Sequence, residues 1–434
     1  MTEITILEVF LYEQLIGHLT RLPGDNNLFA FDERYVRDPE RPTLSLSFKN
    51  SLGGLKLPDR RPIRTKLPPF FSNLLPEGHM REYLAKQGDI NPEREFFLLK
   101  LLGSDLPGAL TVRESRTQPM YLPQTDEMPV VPSDQPAKQV FHFSLAGVQM
   151  KFSAIEETQG GLTIPVNGMG GHWIIKLPSA KWNGVPENEY SMMQLAKAMG
   201  LIVPEVKLVA SDKIEGLPKG VMNAQDFGQS LAIKRFDRGD NERRIHIEDM
   251  AQVFGIYPRD KYKKVSYENI GKLLWLEAGE EALLEYVRLL VFNLAIGNGD
   301  AHLKNWSLIY PDRRHPKLSP AYDLVSTIAY INEPEMGLSL AKTKNMLEIS
   351  QASFEAFAKR ADLPVRLVVQ TALEMAARFE DVWKAQAHEL PMGDHVRNRI
   401  INHKQQIPLF HELGIGRIKS KTTQAKATSS EQVE

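Results

Sequence analysis

The sequence predicts an α+β fold, with strands concentrated in the first half of the chain and helices in the second. Three observations carry that reading. β-rich runs recur between residues 4 and 236, separated by glycine- and proline-marked turns. Further on, Leu283, Val287, Leu290, Val291 and Leu294 follow helical spacing and define one buried face. The chain has 434 residues, of which 42% are hydrophobic and 25% charged, enough for two or three domains with sizeable cores.

Taken in order, Ile4 to Tyr12 reads as a strand, Glu13-Gln14 as a turn and Leu15 to Leu22 as the next strand. Leu44-Ser-Leu-Ser-Phe48 alternates as a strand does. Helical stretches are expected at about 77–87 and 92–102, so residues 1–112 read as a small α+β subdomain. Residues 114–138 carry five prolines among polar residues, and 113–138 is read as a linker. A second β-rich segment spans 139–238: two strands within Val140 to Ile155, a buried strand at His172 to Leu177 and another at Leu231 to Phe236. Between them, Pro186 suits the first turn of a helix that ends near Gly200. From about 247 the chain reads as helical, with two or three amphipathic helices over 350–410. The helical segment is placed at 239–416, and the polar tail at 417–434 is read as disordered.

Composition sets limits on function. The net charge is −1, so no overall basic excess argues for intrinsic nucleic-acid binding. There are no cysteines, which excludes disulfides and cysteine-ligated zinc and suits a reducing cytoplasm. The first residues lack the basic and apolar regions of a signal peptide, and no apolar stretch is long enough to span a membrane.

The chemistry is concentrated in Asp300-Ala-His-Leu-Lys-Asn305 and in Asp323. Taken alone, Asp and Asn at that spacing are ordinary turn residues. Here they follow a long helix at about 280–296 and the Gly297-Asn-Gly299 turn. A strand (Trp306 to Tyr310), a turn (Pro311 to Arg313) and a return strand (Lys317 to Ala321) then fold the chain back toward Asp323. Protein kinases use this order: a catalytic Asp, a metal-binding Asn, then a metal-binding Asp. Two carboxylates about 5 Å apart repel by roughly 3 kcal/mol at an effective dielectric of 20. A Mg²⁺ between oxygen ligands and ATP phosphates removes that cost. Asp300 is therefore the expected general base, and Asn305 and Asp323 the expected metal ligands. His302 either contacts the γ-phosphate or braces the loop. Lys304 either faces solvent or makes a second phosphate contact.

A kinase also needs a strand lysine paired with an acid on the following helix. Lys176, flanked by apolar residues, fits the first part, and Glu189 is its expected partner. The string Ser144 to Lys151 offers a phosphate-covering loop with a single glycine. Lys234-Arg-Phe-Asp237 closes a strand, the place for a hinge whose backbone binds adenine. No Gly-x4-Gly-Lys-Ser/Thr loop occurs, which argues against a P-loop NTPase.

Together these strings resemble one family, the HipA kinases, toxins of type II toxin–antitoxin systems. The resemblance rests on Phe71-Ser-Asn-Leu-Leu-Pro-Glu77, Ser144 to Lys151, Ile174 to Pro178, Glu187-Asn-Glu-Tyr190, Arg235-Phe-Asp-Arg238, Glu248-Asp-Met250, Gly299 to Asn305 and Tyr322-Asp323. It implies a kinase-like two-lobed fold: a β-rich N-terminal lobe with an extra small subdomain, and an all-helical C-terminal lobe. It implies ATP- and Mg²⁺-dependent phosphorylation of serine or threonine on a protein, with aminoacyl-tRNA synthetases as a substrate class. Partners would be a HipB-like helix-turn-helix antitoxin dimer and, through it, operator DNA.

By the same resemblance Asp300 is catalytic. Ala146, Gly147, Val148, Gln149, Met150 and Lys151 cover phosphates, Lys176 is the ATP lysine, and Lys234, Arg235 and Phe236 contact adenine. His302, Lys304, Asn305, Tyr322 and Asp323 line the nucleotide and metal. Ser144 matches a serine that the family autophosphorylates, and a phosphate there would be repelled by bound phosphates. Met150 and Gly299 depart from the family's usual residues. Two other readings stand beside this one: a small-molecule phosphotransferase, and a non-catalytic co-repressor that keeps the kinase shape.

Overall fold

The computed structural model describes residues 4–115, 151–156, 162–164, 171–179, 181–217, 228–240 and 243–411. Of the expected linker at 113–138, residues 116–138 lie outside the described residues, as do Ser144, Ala146 to Met150 and the expected tail at 417–434. Two compact units divide the chain. The first holds Met1–Asn183, Pro204–Tyr262 and Leu303–Ser319, and the second holds Gly184–Val203, Lys263–His302 and Pro320–Glu434.

The first unit opens with β1 (Thr5–Leu11), β2 (Gln14–Leu22), β3 (Asn26–Phe31) and α1 (Glu33–Arg37). Leu7, Val9 and Leu11 alternate inward along β1 and are fully buried, the period-2 pattern of a half-buried strand. Leu44 to Phe48 does not form the expected strand. Leu46–Phe48 is a 3₁₀ turn, because Ser45 Oγ accepts the Ser47 amide at 3.1 Å and the Leu46 amide is taken by Glu248 at 3.0 Å. The segment continues through β4 (Ile63–Arg64), α2 (Pro69–Ser72), α3 (Gly78–Gln87), α4 (Glu95–Leu102) and β5 (Leu110–Glu114). The sheet runs β4-β3-β2-β1-β5, packed on a core that includes Phe29, Phe70, Phe71 and Phe96.

Next come β6 (Lys151–Glu156), β7 (Leu162–Thr163) and β8 (Trp173–Lys176), then α5 (Val185–Ala198) of the second unit. The chain returns to the first unit with β9 (Val206–Ala210), β10 (Ile214–Glu215) and β11 (Gln229–Lys234). These strands form a six-stranded sheet, β10-β7-β6-β8-β11-β9, with its own core around Trp173, Ile175 and Ala232. The chain does not become helical at 247. Instead β12 (His246–Asp249) pairs with β13 (Ser307–Tyr310), so Glu248 lies opposite Leu308, and α6 (Met250–Val253) follows, capped by the Asp249 side chain.

The second unit is built on α7 (Tyr267–Glu277) and α8 (Gly279–Ile296). The expected return strand is shorter than Lys317 to Ala321: only β14 (Lys317–Leu318) pairs with β13. A hairpin that sequence reading does not foresee, β15 (Glu335–Leu340) and β16 (Thr343–Asn345), precedes α9 (Gln351–Arg360), α10 (Val365–Gln386), α11 (Asp394–Lys404) and α12 (Pro408–His411). The fold class is α+β, strand-rich early and helical late.

Candidate active site

In the second unit, α8 ends at Gly297 in the left-handed region (φ 65°) and delivers the 298–302 segment from a buried helix. Asp300 is 6% exposed and His302 2%, with His302 Nε2 3.9 Å from an Asp300 oxygen. A residue that sequence reading passes over organises the loop. Asn298, itself buried, accepts the Asp300 amide at 3.1 Å and donates to the Asp323 carbonyl at 3.3 Å. One side chain thus joins the expected base and an expected metal ligand. It is in turn held by Asn293 at 2.7 Å. The only signal in the sequence was the Asn between two glycines.

Asp323 takes a positive φ of 54°, a conformation that few non-glycine residues hold without support. Support comes from Asn188 on α5, whose amide pairs with both backbone groups of Ser326, at 3.0 and 3.1 Å. Asn188 is fully buried beside Glu189, which is 2% exposed. Sequence reading names Glu189 of that string; Asn188 beside it makes these hydrogen bonds as well. The segment after Asp300 is gripped as well: Tyr267 Oη donates to the Ala301 carbonyl at 2.9 Å. Burial first, with the Asp300 charge adding to it, pushes the Tyr267 phenol well above its ordinary range.

Gly299 departs from the family's usual hydroxyl residue, and the structure supplies a steric reason. A Cβ there would meet the Glu335 carbonyl at 2.6 Å, and the Gly299 amide already donates to Thr327 Oγ1 at 2.7 Å. Gly337 does the same from the other side, where a Cβ would lie 2.7 Å from the Ala301 carbonyl carbon. The loop backbone is packed backbone-to-backbone against β15.

In the first unit, Lys176 is 4% exposed on β8, between β6 and β11. Its register partner on β6 is Lys151. Residues directly opposite in an antiparallel pair share one face, so two expected phosphate-binding lysines stand side by side. Like charges so placed destabilise a sheet unless an anion offsets them. Lys234 is exposed; its amide donates to the Glu205 carbonyl and the Arg235 amide to the His172 carbonyl, at 2.8 and 2.7 Å. Phe236, which follows on this segment, is half-buried.

The Arg235 side chain builds the fold. It grips Asp237 at 2.8 and 2.9 Å and reaches Asp105 at 3.4 Å, while Arg238 holds Asp237 at 2.7 Å. Burial pushes the Asp237 carboxyl up, but Arg235, Arg238 and the Gly108 amide together hold it below the usual carboxylate range. Asn305 ends a 3₁₀ turn (Leu303–Asn305) that leads into β13. Lys304 is not solvent-exposed as one expectation had it. Its ammonium lies 3.1 Å from Glu77 and donates to the Asn73 carbonyl at 2.9 Å. Tyr322 and Asp323 are half-buried in the second unit.

Comparison with known proteins follows this geometry. The description "HipA-like C-terminal domain" matches residues 143–383, and "HipA N-terminal domain" matches residues 7–113. "Putative kinase Y4dM" of Sinorhizobium fredii (strain NBRC 101917 / NGR234) is 49% identical over 415 residues, covering 95% of this chain and 99% of the relative. "Putative kinase Y4mE" of the same organism is 31% identical over 84% of this chain and 88% of its own length. The "Serine/threonine-protein kinase toxin HipA" of Shewanella oneidensis is 25% identical over 86% of this chain and 87% of its own. Among solved structures, HipA in the Shewanella oneidensis MR-1 complex of HipA, HipB and operator DNA matches with a TM-score of 0.69 and 23% identity. The match covers 92% of this chain and 95% of that one, and it shows a shared fold. The buried Asp300 loop sits within the matched C-terminal domain, and with both family domains and full-length relatives accounted for, this chain belongs to the HipA family.

Proposed function

We propose that this chain transfers the γ-phosphate of ATP to a serine or threonine hydroxyl on a protein. One observation carries the proposal: Asn298 joins the Asp300 amide to the Asp323 carbonyl, setting a buried candidate base and a candidate metal carboxylate on one frame. Support comes from the names of its relatives, which are kinases, one a serine/threonine-protein kinase toxin.

Asp300 orients the acceptor hydroxyl and takes its proton, a role worth about 10²- to 10⁴-fold. His302, 3.9 Å from it, braces the loop. Asn305 and Asp323 carry hard oxygen donors that would hold Mg²⁺, and the ion would supply positive charge to the transferring phosphoryl group. Lys176, with Glu189 as its partner, and Lys151 supply positive charge to the phosphates. Ala146, Gly147, Val148, Gln149 and Met150 complete the phosphate loop. Lys234, Arg235 and Phe236 contact adenine through the backbone, and Tyr322 and Lys304 flank the nucleotide.

The biological reading is that of a toxin kinase of the cytoplasm, silenced by a HipB-like helix-turn-helix partner with which it sits on operator DNA. An aminoacyl-tRNA synthetase is the proposed substrate class, and phosphate on Ser144 the proposed self-inactivation. Among the described residues no helix is long and apolar enough to cross a membrane. Incubation of the pure protein with ATP and Mg²⁺, followed by phosphosite mapping, tests the proposal. Phosphate is expected on Ser144 of the wild type and not of Asp300→Asn; equal incorporation in both would defeat it.

A further inference from the structure

The string Phe71 to Glu77 takes no part in the chemistry above, yet two of its residues converge on Lys304, the neighbour of Asn305. Lys304 Nζ donates to the Asn73 carbonyl at 2.9 Å and lies 3.1 Å from Glu77 Oε1. The second Glu77 oxygen accepts from Lys261 at 2.8 Å, and the Lys261 carbonyl accepts the Leu303 amide at 3.2 Å. Glu77 therefore grips the turn by two routes: the Lys304 side chain directly, and the Leu303 backbone through Lys261. Asn73 is itself fixed, its side-chain amide donating to the Pro69 and Ile256 carbonyls, both at 2.8 Å.

The other side of Asn305 is anchored too. The Trp306 carbonyl accepts the Met250 amide at 2.9 Å, and Ser307 is the register partner of Asp249 across β12 and β13. Asn305 thus sits between neighbours held on both sides, and the clamp on Lys304 comes from the segment of 7–113 that matches the HipA N-terminal domain. Glu77 keeps 32% of its side chain exposed. Burial pushes the Glu77 carboxyl up, but Lys304 and Lys261 hold it down at about 2, so its loss costs stability near neutral pH as well as freeing the turn.

We propose that Glu77, with Asn73, is a positioning residue that presents Asn305 to the metal by clamping Lys304. The proposal rests on the reading of Asn305 as a metal ligand. Residues that orient metal ligands from behind typically cost on the order of 10- to 100-fold in metal affinity when removed.

The test uses the full chain and a fluorescent ADP analogue, titrated with saturating Mg²⁺ and again in EDTA. Mg²⁺ should tighten nucleotide binding in the wild type. Glu77→Gln should lose about tenfold of that gain, with wild-type affinity in EDTA, both measured at a temperature where the variant is fully folded. Lys304→Met should also lose about tenfold of the Mg²⁺ gain, whatever its place beside the nucleotide costs in EDTA, and the double variant should lose no more of that gain than either single. A full Mg²⁺ gain in Glu77→Gln overturns the proposal. Additive losses of that gain overturn it, as does a parallel fall in the EDTA affinity of Glu77→Gln. If the wild type itself shows no Mg²⁺ gain, the metal reading fails and takes this inference with it. A normal wild type beside an unaffected Glu77→Gln refutes the inference alone.

Discussion

Replacing Gly337 with alanine should misplace Asp300 without touching a polar group. A Cβ at 337 would stand 2.7 Å from the Ala301 carbonyl carbon and 2.9 Å from both its oxygen and the His302 nitrogen. Ordinary contact begins at 3.4 Å, so β15 or the loop must yield by about 0.7 Å. The obstacles are backbone atoms, with no flexible side-chain end to swing aside. The loop resists as well, since Tyr267 holds the Ala301 carbonyl and Asn298 the Asp300 amide. Overpacking of this kind costs about 1–3 kcal/mol, a drop of several degrees in the thermal midpoint. A reacting group misplaced by about 1 Å costs about 10²-fold. Gly337→Ala should therefore lower kcat for phosphoryl transfer by about 10- to 100-fold while nucleotide affinity stays near wild type. Initial-rate assays with parallel thermal unfolding measure both. Wild-type kcat in a folded Gly337→Ala protein would refute the idea that β15 sets the loop.

Two further outcomes concern stability. Asp237→Asn removes the carboxylate that Arg235, Arg238 and the Gly108 amide share, leaving Asp105 beside both arginines, and should cost on the order of 3 kcal/mol in chemical denaturation; a loss under about 1 kcal/mol would mean Asp105 suffices for both. Glu248 is buried, accepts from Tyr310 at 2.5 Å and from the Leu46 amide at 3.0 Å, and burial raises its pKa from 4.5 to about 7. The folded state thus takes up a proton between those values, and the stability this confers is full below the lower one and lost as pH rises to the upper. Glu248→Gln removes that slope, so its stability relative to wild type should grow between about pH 5 and pH 8, by up to about 3 kcal/mol; a pH-independent difference would show that Glu248 does not titrate there.

What could be read from the chain and what could not differ for physical reasons. β1 was legible because its burial alternates with period 2, and α8 because Leu283, Val287, Leu290, Val291 and Leu294 recur at helical spacing. Leu44 to Phe48 misled because its alternation is real but Ser45 and Glu248 satisfy its amides as a turn. β12 was missed because four residues carry too short a pattern, and its partner β13 lies about 60 residues away in sequence. At the site, Asp300, Asn305 and Asp323 were visible as a spacing. Asn298 and Asn188 were not, since an amide that bridges two backbone segments has no local signature. Lys234 to Phe236 read as the adenine-contacting strand, yet the Arg235 side chain is spent on Asp105 and Asp237, where Arg238 and the Gly108 amide also converge. Local pattern reports secondary structure, while long-range ion pairs become visible only when the fold brings their partners together.

The most direct test of the central claim is a time course of γ-phosphate transfer from labelled ATP with Mg²⁺, comparing wild type with Asp300→Asn at matched nucleotide occupancy. Transfer by the wild type is expected, with a rate about 10²- to 10⁴-fold lower in the variant and nucleotide affinity preserved. Equal rates, or no transfer by a wild type that binds ATP, would contradict it.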